Sequence, residues 1–333
     1  MTLLQSEYDA ETSEVQDLGG SSNLNIRITI DGEPHVARAY RPYVTAQRLE
    51  DLQRVREAVA AEGVPTPDGR QTKNGQPFTQ LGERLIEVER FVDRDAEMDT
   101  WQNLGAGLPT LGRIHNVLAR ERVASVDEDR FFANYIAAED VVTKTGLGVT
   151  RIQSWSPTAE EFVIAEMAIE LAELVYEGER MFAGKLPVQV VHGDFWDNNV
   201  LFRGGDLVLV TDYDYMSARP RIDDLALTLY FTNCAFREGV LDPPRRAELR
   251  RLVDAYESGL DGPLSDDECS ALPWAIARQP LWSIGGWVVR LDNEDTARRH
   301  VSGMEKDLEW TLAMAHAASS WADAFTGEAY GPR

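Results

Sequence analysis

The chain has 333 residues, enough for two lobes with their own cores, and sets 56 acidic against 33 basic residues for a formal charge of −23. That surplus argues against nucleic acid and anionic membranes as partners, since both are polyanions. No run reaches the roughly 18 uninterrupted apolar residues of a membrane span, MTLLQSEYDAETSEV has neither the basic start nor the apolar run of a signal peptide, and Cys234 and Cys269 alone make no disulfide framework; a cytoplasmic protein is expected.

Asp17-Leu18-Gly19-Gly20-Ser21-Ser22-Asn23 reads as a glycine- and serine-rich turn. After it Leu24, Ile26, Ile28 and Ile30 alternate with polar residues, the pattern of a half-buried strand. Asp31-Gly32 marks a hairpin that returns through His35 to Tyr40. Thr45 to Glu62 places Leu49, Leu52, Val55 and Val59 at helical spacing and stops at Gly63-Val64-Pro65. Extended pieces follow at Arg70 to Thr72, Phe78 to Leu81 and Arg84 to Val92. From Trp101 the chain is mostly helical. Leu108, Leu111, Ile114 and His115 share one face, so His115 reads as a core histidine. A helix starts at Ser156-Pro157-Thr158, another opens at Asp223-Asp224 with an Asp as its cap, and Pro244 to Phe325 is helical and tryptophan-rich.

The chemistry concentrates in His192-Gly193-Asp194-Phe195-Trp196-Asp197-Asn198-Asn199 and the hairpin after it. Val200 to Arg203 and Leu207 to Val210 read as strands joined by Gly204-Gly205, which sets Asn199 nearly opposite Val210 and Thr211 and lets it share a metal site with Asp212. Phosphoryl transfer needs few protein groups: a carboxylate to take the hydroxyl proton, and an amide and a carboxylate oxygen for Mg²⁺. Asp-x4-Asn followed by Asp supplies all three, in the order of a kinase catalytic and metal loop. A lone His-x-Asp would more often be an ordinary turn; the triplet, the Asn offset, the hairpin and the final Asp occur together here.

The blocks GGSSN, HVARAYRP, GVPTP, LGRIH, HGDFWDNNVLF and VTDYDYMSARPRIDDLA, in this order from Asp17 to Tyr230, resemble the aminoglycoside phosphotransferase and choline-kinase-like family of small-molecule kinases. The resemblance implies an α+β, bilobal, protein-kinase-like fold. Residues 1–92 would form a nucleotide-binding lobe of a small antiparallel sheet plus a helix, and 93–333 a larger, mainly helical catalytic and substrate-binding lobe. By position Asp194 would be the catalytic base, Asn199 and Asp212 the Mg²⁺ ligands, and His192 and Asp224 supports of the catalytic loop, although Asp224 would look the same as a helix cap. Gly19, Gly20, Ser21, Ser22 and Asn23 would cover the phosphates of ATP or GTP, and Glu87, Glu89 and Phe91 would lie at the hinge beside the purine. Arg38 stands where kinases keep a lysine. Arginine grips phosphate bidentately, so that role can survive, with Glu50 or Glu57 of the helix as its partner.

Asp223 follows Asp212 by only eleven residues, which leaves no room for a peptide-docking segment, so a small hydroxylated acceptor is expected and a protein substrate is not. Trp196, Asp197, Trp282 and Trp287 are candidate acceptor contacts, with core packing the plainer reading of the tryptophans. An antibiotic is the favoured acceptor. A housekeeping kinase of a sugar or amino alcohol is the alternative, and a nucleotide-binding pseudokinase, suggested by Arg38, a further one. A metal-dependent hydrolase would need more clustered histidines than the five present.

Overall fold

The computed structural model describes residues 2–11, 15–19, 23–123, 135–236 and 242–326. Helix α1 (Thr2–Tyr8) leads into β1 (Gln16–Gly19), β2 (Leu24–Ile30) and β3 (Glu33–Ala39), then α2 (Ala46–Ala61), β4 (Gly69–Arg70), β5 (Thr79–Leu81) and β6 (Arg84–Arg90). The strands form one antiparallel sheet in the order β1-β2-β3-β6-β4, with β5 also on β6. The predicted turn at Asp17 is therefore partly a strand, β1. Alternation sorts the faces. Ile28, Ile30, Ala37, Ile86 and Val88 pack under Leu4 and Tyr8 of α1. The other face meets Leu49, Leu52, Val55 and Val59 of α2, whose N-terminus Thr45 caps by accepting the Arg48 N–H.

A short strand β7 (Ala96–Glu97) leads to α3 (Trp101–Leu118), α4 (Val141–Ser154) and α5 (Ala159–Glu179). Thr158 and Glu161 close the capping box predicted for α5. The segment His192 to Asp212 lies among short strands: β8 (Val188–Val191), β9 (Val200–Arg203), β10 (Asp206–Val210) and β11 (Ser217–Pro220). β10 pairs with β9 and β9 with β7, while β11 pairs with β8. The predicted hairpin has Val210 opposite Val200, and Gly204 and Gly205 at φ 60° and 88° make its turn. Thr211 N–H donates to Asn199 O at 2.9 Å, which fixes Asn199 beside the residue before Asp212.

Helices α6 (Ile222–Ala235), α7 (Pro243–Glu257) and α8 (Asp266–Arg278) follow, then α9 (Glu294–Val301), α10 (Glu305–His316) and α11 (Ala318–Thr326). Between α8 and α9 the chain runs as a π-helix over Ser283–Val288. The largest core joins α2, α3, α6, α7, α8 and α11 and takes in Phe195, Val200, Phe202 and Val210 of the segment that begins at His192. A second gathers α4, α5, the π-helix, α9 and α10. Gly148 of α4 lets the π-helix come close, since a Cβ there would lie 2.2 Å from Ile284 O.

Candidate active site

The segment His192 to Asn199 is held from behind. Asp224 accepts the backbone N–H of His192 at 2.8 Å and of Gly193 at 3.0 Å, and its Oδ2 lies 3.1 Å from His115 Nε2. Burial works against its charge, but the His115 hydrogen bond and the Arg219 guanidinium outweigh it and hold the carboxyl below the usual range. Asp224 does not cap its helix as predicted; Arg221 occupies the N-cap and makes no side-chain capping bond. Gly193 has φ 89°, and a Cβ on it would fall 2.1 Å from Tyr215 O, so only glycine fits. Arg219 donates to Gly193 O at 2.9 Å, which secures the other side of the same residue.

His192 is fully enclosed, and burial lowers its pKa to about 4, so the ring is neutral near pH 7. Its Nδ1 accepts the Asp194 N–H at 3.3 Å, and Nε2–H donates to Thr211 O at 3.1 Å. One imidazole thus ties the turn at Asp194 to the end of the hairpin at Thr211, the residue before Asp212. Asn199 Nδ2 donates to Asp194 O at 2.8 Å and to Asp194 Oδ2 at 3.0 Å. That orients the carboxylate and leaves Asn199 Oδ1 as the atom able to meet a cation. Asp212 has left-handed backbone, φ 64° and ψ 51°, rare for a residue with a side chain.

Arg38 Nη1 lies 3.1 Å from Asp212 Oδ1 and Nη2 donates to Thr211 Oγ1 at 3.2 Å. Burial disfavours its charge, but Glu89, Asp212 and Asp214 more than offset this and push its pKa further up. Neither Glu50 nor Glu57 pairs with it. The helix presents a cation instead: Arg56 of α2 bonds both Glu87 and Glu89 of β6, and Glu87 also accepts from Tyr40 Oη at 2.8 Å and Gln53 Nε2 at 2.7 Å. Asn23 bonds Asp214, whose carboxyl burial and Asp212 push up to about 6.

A cleft of about 450 Å³ lies between sheet and helices, and Gly19, Asn23, Arg38, Glu89, Phe91, Asp194, Asn199 and Asp212 all line it. Leu18 and Val36 from the sheet, with Leu201 and Leu209 from the hairpin, give it apolar walls suited to a flat base. Sequence reading missed these four, although Val36 stands two residues before Arg38 on the same strand face. Gly20, Ser21 and Ser22 lie outside the described residues. Glu87 does not reach the cleft; its carboxylate is spent on Arg56, Gln53 and Tyr40. Phe91 N–H donates to Pro34 O at 3.1 Å, so that group is committed to the sheet.

The predicted acceptor residues separate. Trp287 lines the cleft, whereas Trp282 is 3 % exposed and belongs to the second core; the two indoles meet edge to face with centroids 6.0 Å apart, so Trp287 rests on that core and shows its other side to the cleft. Trp196 stacks on Phe231 with centroids 4.0 Å apart, and both line a small recess with Asp197. The Asp197 carboxyl is raised by burial and further by Glu97 and Asp99.

Asn199 and Asp212 suit a hard cation, being an amide oxygen just before β9 and a carboxylate just after β10, at the same end of the hairpin. Among the described residues no three His, Cys, Asp or Glu side chains form a metal cage, and Mg²⁺ is commonly held by one or two carboxylates plus phosphate oxygens.

A nucleotide-sized cleft under an antiparallel sheet, with Asp, Asn and Asp gathered on its helical side, defines a small-molecule kinase with a hydroxyl acceptor. Residues 14–262 match the phosphotransferase enzyme family, and the chain belongs to it. It is 25 % identical to homoserine kinase of Zymomonas mobilis over 213 residues, 63 % of this chain and 61 % of that enzyme. Two solved structures share the fold. A microcompartment-associated aminopropanol kinase has a TM-score of 0.65 at 16 % identity, over 96 % of this chain and 97 % of that one. An amicoumacin kinase in complex with AMP-PNP and Ca²⁺ has 0.63 at 14 % identity, over 96 % and 92 %. Among the described residues no helix is long and apolar enough to cross a membrane.

Proposed function

We propose that the chain transfers the γ-phosphoryl group of ATP to the hydroxyl of a small amine-bearing alcohol, with Asn199, Asp212 and the phosphates holding Mg²⁺. The observation that carries this reading is Asn199 bonding Asp194 at 3.0 Å while Arg38 and Asp212 meet at 3.1 Å in the same cleft. Asp194 takes the hydroxyl proton, the oxygen bonds to the γ-phosphorus, and the bond to the ADP oxygen breaks. Asn199 orients Asp194, and Arg38 grips phosphate oxygens in its planar fork. Mg²⁺, when bound, supplies neutralisation of the phosphate charge.

An antibiotic and a small amino alcohol would use the same chemistry. Relatives that are homoserine kinases, and a fold neighbour that is an aminopropanol kinase, favour the smaller acceptor. Asp197, Glu97 and Asp99 place carboxylates beside the catalytic loop, where an ammonium group would be stabilised. The test is ADP release with ATP or GTP across homoserine, aminopropanol, ethanolamine, choline, aminoglycosides and spectinomycin. Turnover best with an amino alcohol supports the proposal, and turnover only with an antibiotic restores the other acceptor. No acceptor-dependent ADP release at all would remove the activity.

A further inference from the structure

Arg48 stands in the first turn of α2 and is fully buried, with 0 % exposure, a rare setting for arginine. Its Nη2 donates to Asp214 O at 2.9 Å and to Met216 O at 2.7 Å. Those carbonyls flank the end of the 3-10 turn Tyr213–Tyr215 that follows Asp212. A left-handed aspartate persists only where its surroundings over-determine it. The chain before Asp212 is fixed by Thr211, whose N–H bonds Asn199 O and whose carbonyl accepts from His192. On the other side, the bonds from Arg48 fix the chain after it, and they come from the opposite lobe.

We infer that Arg48 is a positioning residue for the metal loop: it makes the placement of α2 a condition for presenting Asp212 to a cation. In kinases the corresponding helix reaches the site through a glutamate paired with the strand lysine. Here Arg56 is engaged with Glu87 and Glu89, and Arg48 bonds the loop backbone directly. The inference rests on the phosphotransferase reading for what Asp212 binds.

The test needs no acceptor. AMP-PNP binding to the full chain is measured by calorimetry in EDTA and in excess Mg²⁺, for wild type, Arg48→Met and Arg48→Lys, with thermal denaturation of each. Arg48→Met should keep its EDTA affinity within about twofold yet lose about tenfold or more of the affinity gained from Mg²⁺, as supports of metal ligands typically do. Lys carries enough N–H donors for both carbonyls but is shorter than Arg, so it meets them less closely and should recover part of that gain. If Met yields no folded protein, the same comparison on Lys decides. A full Mg²⁺ gain in the variants, or equal losses with and without metal beside a lowered melting temperature, would reduce Arg48 to a core residue and overturn the inference. A wild-type protein indifferent to Mg²⁺ would remove the phosphotransferase reading itself, and this role with it.

Discussion

Arg38 on the sheet and Asp212 on the metal loop form an ion pair of 3.1 Å that bridges the two lobes. The side chains are 10 % and 24 % exposed, so the pair is shielded while its carboxylate still faces the cleft. One carboxylate cannot give its full charge to a guanidinium and to Mg²⁺ together. On the proposed reading, a cation held at Asp212 would compete with Arg38 for this carboxylate and leave the guanidinium for the phosphates.

Arg38→Ala should raise the nucleotide KM and lower kcat, because a phosphate clamp acts in the ground and transition states. A fall of about tenfold or more in kcat/KM is expected, about 1.4 kcal/mol. Arg38→Lys keeps the charge but loses the fork that meets Asp212 and Thr211 at once, and should fall between the two. Steady-state kinetics decide it, and a silent Ala variant removes Arg38 from the site.

Asp212→Ala should lose Mg²⁺-dependent nucleotide binding, since it deletes a charged oxygen ligand. Asn199→Ala should do so more mildly. Unchanged Mg·AMP-PNP affinity in the Asp212 variant, measured by calorimetry, contradicts the metal assignment.

Asp194→Asn should lower kcat by about 10²–10⁴-fold, the usual worth of a general base. Nucleotide affinity should stay near wild type, because the carboxylate acts on the acceptor. Retention of more than about a tenth of kcat would mean that another group takes the proton.

Trp282 and Trp287 should respond oppositely to truncation. Trp282→Ala empties core volume and should cost about 3–5 kcal/mol of stability. Trp287→Ala should raise the acceptor KM at a smaller stability cost. Chemical denaturation with acceptor kinetics separates them; an unchanged acceptor KM in the Trp287 variant sinks its role.

Glu179 gives a pH signature. Burial pushes its carboxyl up to about 7, with Arg278 pulling against this and Asp223 adding to it. A raised acid binds its proton in the folded state while the unfolded chain has lost it. Stability on this account is therefore full below the ordinary glutamate range and falls as pH rises toward about 7. The slope should approach about 1.4 kcal/mol per pH unit within that window. Glu179→Gln should flatten this part of the profile in urea titrations from pH 5 to 8, and an identical slope in both proteins would refute it.

Much of this was legible in the sequence where function forces a local pattern. The Gly204-Gly205 turn gave the hairpin and set Asn199 near Val210 and Thr211, but not the one-residue register shift between Leu207 and Leu209, which no local residue pattern announces. His115 was rightly placed in the core, but its bond to Asp224 needed a tertiary contact across 109 residues, and no local signal encodes that. The partner of Arg38 failed for the same reason. Helical spacing offered Glu50 and Glu57, yet the acidic groups come from β6 and the metal loop, and Arg56 reverses the expected sign. Trp282 and Trp287 looked equivalent because a π-helix has no distinctive composition.

The π-helix also bears on how this cleft can change. Each π-turn holds one residue more than an α-turn, and one residue in an α-helix sweeps roughly 100° around the axis. Loss of a single residue between Ser283 and Val288 would rotate Trp287 by about that angle against its ring contacts with Trp282 and His300 and so change what this side of the cleft presents. The Trp287 side of the cleft is thus exposed to a one-codon deletion, a shorter evolutionary path to a reshaped pocket than replacing several lining residues in turn.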